Sequence, residues 1–78
     1  GFDDIESDGA AINLAEKYGS GLVRAVYIPT DGEAQTLEGE ALKTFAGDKS
    51  GTLQLVFAVN GYKTTVFDLA YTVTDAAE

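Results

Sequence analysis

The stretch from Thr52 to Thr74, TLQLVFAVNGYKTTVFDLAYTVT, constrains the fold most. Two runs rich in β-branched and aromatic residues flank Asn60-Gly61, the best short-range signal of a β-hairpin. Matching the runs face to face fixes a register. Leu53, Leu55, Phe57 and Val59 share one face of the first run; Phe67, Leu69, Tyr71 and Val73 share one face of the second. Burying both sets together requires Leu55 opposite Phe67, Leu53 opposite Leu69, and Val56 opposite Val66 on the other side. A plain two-residue Asn-Gly turn would instead set Leu55 against Val66 and split the apolar faces. A one-residue slip turns every side chain over, so burial should override the turn rule. The spacing therefore predicts a three-residue loop from Asn60 to Tyr62, or a tight turn followed by a bulge near Thr64-Thr65. The Val56/Val66 pair leaves apolar surface on the second face, which something must cover.

Upstream, Leu22 to Ile28 (LVRAVYI) reads as an interior strand, apolar on both faces, with Arg24 near an end. Strand alternation puts Leu22 in phase with Arg24, Val26 and Ile28, and Val23 in phase with Ala25 and Tyr27. Pro29-Thr30-Asp31-Gly32 and Asp48-Lys49-Ser50-Gly51 are turn signatures. Residues 10–18 (AAINLAEKY) favour one short helix, with Asp8 as N-cap and Gly19 at the end. Ala11, Leu14, Ala15 and Tyr18 form its stripe. Thr36 to Phe45 is ambiguous. A helix would group Leu37, Ala41, Leu42 and Phe45, but Gly39 inside it costs about 1 kcal/mol, so strand is preferred. Residues 1–9 are an acidic N-terminal segment, and 75–78 form a short acidic tail.

The 78 residues suit a single domain spanning 1–78. So short a chain buries only ~60% of its unfolded surface, so disulfides, metals or partners usually help. With no Cys and no His, disulfides are excluded, and zinc, copper, haem and iron–sulfur sites lose their usual ligands. Thirteen acids against five Lys and Arg give a net charge of −8. Five scattered bases cannot build the basic face that nucleic acid requires, and anionic membrane is disfavoured likewise. No run of eighteen apolar residues suggests membrane insertion. The chain begins with Gly and contains no Met, which points to a processed product or an excised domain.

Asp4, Glu6 and Asp8 are the one constellation with recognisable metal chemistry. Asp4-x-Glu6-x-Asp8-Gly9 resembles the first half of a calcium loop of the EF-hand or dockerin type, which implies these three as oxygen ligands. Position 12 of such a loop, normally a bidentate acid, is Ala15 here. A solvated acidic segment next to a helix start explains the same residues. Catalysis has little to draw on: no His for a triad, no Cys nucleophile, only Ser50 beside Lys49 and a mid-strand Asp68. Asp68 reads more simply as the guarded solvent face of an edge strand. Tyr27 and Tyr71 read as core with hydroxyls at the rim. Tyr62 and Asn60 at the hairpin tip, and Asp31 in the Pro29 turn, are the candidate partner contacts.

Leu69 to Ala77 (LAYTVTDAA) resembles the last strand of bacterial immunoglobulin-like domains. That resemblance implies a spacer, adhesion or assembly module and carries over no functional residues. The expected fold class is mainly β, a small immunoglobulin-like β-sandwich of about six strands with one short helix at 10–18. The alternative is α+β, with helices at 10–18 and 36–46 on a three-stranded sheet. The expected function is a non-catalytic structural or assembly subunit of an extracellular fibre, pilus or virion surface. Its partners would be other protein chains, copies of itself included, with no cofactor unless calcium. The alternatives are a protein- or glycan-binding module of a larger secreted or cell-surface protein, and, last, a small enzyme.

Overall fold

The computed structural model describes residues 3–59 and 63–74. Among them the elements run β1 (Ile5–Ser7), α1 (Leu14–Tyr18), β2 (Leu22–Pro29), β3 (Gln35–Leu37), α2 (Glu40–Lys43), β4 (Gly51–Val59) and β5 (Lys63–Val73). The fold is mainly β. The strands form one five-stranded sheet in the order β1-β5-β4-β2-β3. Every neighbouring pair is antiparallel except β1 with β5, which is parallel.

The β4–β5 hairpin takes the register that burial demands. Leu53 opposes Leu69, Leu55 opposes Phe67, and Val56 opposes Val66. The ladder runs without a shift to Val59 opposite Lys63, so residues 60–62 make the connection. Those three residues lie outside the described ones.

The second layer differs from the expected one. Two short helices, rather than a second sheet, cover the face that carries Leu53, Leu55, Leu69 and Tyr71. Leu14 of α1, Leu42 of α2 and the adjacent Phe45 join these residues in one core with Ala25, Tyr27 and Leu37. The physical reason lies in the 36–45 segment, which is neither all strand nor all helix. Gln35–Leu37 pairs with β2, Gly39 then takes φ +59, and a single helical turn follows. The positive φ at Gly39 is open to glycine at little cost, and it lets the chain leave the sheet and fold back over it. The helix at 10–18 is likewise shorter than its stripe suggests. Asp8 spends its carboxylate on Ala10 N–H (3.0 Å), while Asn13 Oδ1 accepts from Glu16 N–H (2.9 Å) and becomes the N-cap. Ile12, just upstream, bridges Phe45 as a strand would.

The interior strand β2 also departs from simple alternation. Leu22 opposes Phe57 but Arg24 opposes Val56, so Val23 is an extra residue, a β-bulge. The bulge returns Leu22 to the core (6% exposed) and leaves Val23 at 43%. A run apolar on both faces tolerates either phase, and packing decides between them.

Candidate functional site

Within the acidic N-terminal segment, Ile5–Ser7 form an edge strand. In β1, Ile5 and Ser7 are buried and Glu6 is exposed. Asp4 Oδ1 accepts from Ala70 N–H at 3.0 Å, standing in for a main-chain acceptor just ahead of the β1–β5 ladder. Asp8 closes its own turn through Ala10. Among the described residues no group of three acidic side chains gathers as a metal site would need. Asp3, Asp4, Glu6, Lys17 and Tyr18 do line an open depression of about 370 Å³. The Lys17 ammonium lies 5.8 Å from the centre of the Tyr18 ring, a cation–π contact. Burial, and secondarily the charge of Asp3, pushes the Tyr18 phenol above its ordinary value.

The other candidates are put to structural use. Ser50 Oγ accepts from Val73 N–H (2.9 Å), and its carbonyl accepts from both Thr30 N–H (2.8 Å) and Thr30 Oγ1 (2.7 Å). Ser50 therefore ties the ends of β2 and β5 together beside β4. Asp31 is exposed, and its carbonyl accepts from Lys49 Nζ at 3.1 Å. Asn60 and Tyr62 lie outside the described residues. The rings of Tyr27, Phe45 and Tyr71 pack against one another, with centroids 4.9–5.7 Å apart. The Tyr71 hydroxyl donates to Gly47 O at 2.8 Å, and that of Tyr27 donates to Lys49 O. Both tyrosines are core, as expected, and their hydroxyls pin the 47–49 turn. Asp68 is exposed on the sheet face opposite the helices.

The feature that the sequence only hinted at is the outer edge of β5. Strand β1 covers only Tyr71, Thr72 and Val73 of this eleven-residue strand, and Asp4 covers Ala70. Ala70 N–H and Thr74 N–H both point to that outer side, towards Asp4 and Ser7 O. Val73 N–H points the other way, towards Ser50 on the β4 side. Backbone groups alternate along a strand. Thr64, Val66 and Asp68 therefore direct their N–H and C=O outward, where no described main chain pairs with them. Their side chains stand on the face that the helices leave uncovered, and Val66 is 53% exposed there. Its cross-strand neighbour Val56 is only 4% exposed, so the apolar pair is half covered. An edge whose outward main-chain groups no described residue pairs, beside an exposed valine, can accept an added strand.

No protein-family model, curated protein or solved structure matches the chain.

Proposed function

We propose that this chain is a non-catalytic structural or assembly module that joins other protein chains by strand addition at the outer edge of β5. The observation that carries the reading is the row of outward backbone groups at Thr64, Val66 and Asp68 beside the exposed Val66. Strand addition draws its affinity from main-chain hydrogen bonds and needs none of the side chains that catalysis uses. The composition agrees, since a chain without His and Cys has few nucleophiles or general bases to offer. An extracellular, cell-surface or virion-surface setting is part of the proposal and rests on composition alone, few Lys and no Cys beside abundant Thr and Gly.

A photo-crosslinking side chain at position 64, in cells that make the whole gene product, tests this reading. The expected result is a covalent adduct with another protein chain, absent when the same probe replaces the exposed Glu38. Equal adducts at both positions, or none at 64, would overturn it.

A further inference from the structure

We infer that the partner at this edge is a second copy of the chain, paired antiparallel about a twofold axis that passes through Val66. This rests on the reading of the β5 edge as an assembly surface, and it names the partner. An axis normal to the sheet keeps the uncovered face of both copies on the same side. Residues of like parity then meet, which suits an edge whose outward groups belong to Thr64, Val66 and Asp68. Centring the pair on Val66 sets Val66 against its own copy and Thr64 against Asp68 of the second copy. All three outward residues then form pairs of the kind that exchange both main-chain hydrogen bonds.

The side chains agree with that register. On the uncovered face the two exposed valines cover each other, and each Thr64 hydroxyl meets an Asp68 carboxylate it can donate to. On the helix-covered side Thr65 opposes Phe67. No acid opposes an acid, although each copy carries −8. Sliding the pair two residues towards the C-terminus sets Thr64 against Ala70, whose N–H Asp4 already holds. Sliding it the other way sets Val66 against Thr64 and separates the valines. The edge is therefore self-complementary in one register, bounded by Lys63 where β5 begins and by Asp4 at its other end. So short an edge buries less than the ~1,200 Å² of a standard interface, so the dimer is weak and fills at high concentration.

Sedimentation equilibrium of the full chain between about 10 µM and about 1 mM tests the inference, a range that brackets weak association. The wild type should move from monomer towards dimer. Val66→Pro deletes an N–H that points away from β4, so the hairpin ladder survives and the dimer is lost. Val66→Lys and Val66→Glu each set like charges on the axis and should be monomeric. Mixed one to one, they should recover a heterodimer at least about tenfold tighter than either alone. A wild type that stays monomeric at the top concentration overturns the inference. So does a dimer that Val66→Lys leaves intact, because the contact then lies elsewhere. If the purified chain is monomeric while the position-64 probe captures a different protein, the copy is wrong and the assembly reading stands. If neither association occurs, both are wrong.

Discussion

Replacing Tyr71 by Phe isolates one hydrogen bond in the middle of the core. Tyr71 is fully buried, and its hydroxyl donates to the carbonyl of Gly47 at 2.8 Å. The substitution keeps the ring, and with it the centroid distances of 4.9 Å to Phe45 and 5.7 Å to Tyr27. What is lost is the bond, and what remains is a carbonyl on a buried residue. A hydrogen bond contributes about 0.5–1.5 kcal/mol net, but a stranded buried acceptor costs about 1–3 kcal/mol. The expected loss is therefore about 1–3 kcal/mol. Melting should fall by about 4–8 °C for each kcal/mol lost, at an unchanged urea m-value. Urea titration followed by circular dichroism measures this. A loss under about 0.5 kcal/mol would show that the Gly47 carbonyl has another partner, and would refute the view that this hydroxyl pins the 47–49 turn.

Gly51→Ala should be worse. The added Cβ would lie 2.2 Å from Ile28 O and 2.7 Å from Pro29 Cα, and backbone on a neighbouring strand cannot yield. A loss of about 3 kcal/mol or more is expected in the same titration, and a loss under about 1 kcal/mol would mean that β2 and β4 are farther apart here. Leu55→Ala, at a fully buried position, should cost about 2–5 kcal/mol by chemical denaturation, and a cost near zero would place Leu55 outside the core. Alkali should destabilise the fold. Burial is the main cause that raises the phenols of Tyr18 and Tyr27 above 10.0; Asp3 adds to it for Tyr18, and the Lys49 backbone bond partly opposes it for Tyr27. The folded state thus holds these protons more tightly than the unfolded state. The resulting stability is complete below 10.0 and is lost as pH rises through the folded values. Melting followed against pH, with Tyr27→Phe as the comparison, reads this; a melting point that stays flat through the phenol titration would contradict it.

The hairpin register was legible in the sequence because two independent constraints, strand propensity and a one-sided apolar face, leave one solution. The core tyrosines were legible for the same reason. The bulge at Val23 was not, because LVRAVYI is apolar on both faces and either phase buries as well locally. The segment from 36 to 45 mixed helical and strand signals because it is both, divided at Gly39. Strand β1 was hidden most deeply. An acidic run such as DDIESDG reads as a solvated turn, and it becomes a strand only by pairing with residues about as far along the chain as this protein allows, Ile5 with Tyr71. The same pairing explains why the suspected calcium ligands Asp4, Glu6 and Asp8 are strung along an edge. It also explains why, among the described residues, no main chain pairs with the outer side of β5 from Thr64 to Asp68: β1 reaches only Tyr71 to Val73. That edge is the candidate site, and its local sequence shows only that Val66 needs cover.

Amide exchange along β5, read residue by residue by NMR in dilute and in concentrated protein, tests the proposed role of this edge most directly. In dilute protein Thr65, Phe67 and Leu69 should be protected by β4, while Thr64, Val66 and Asp68 exchange fast. In concentrated protein those three should gain protection together. Three amides already as protected as their neighbours in dilute protein would contradict the account, because another part of the chain would then hold the edge.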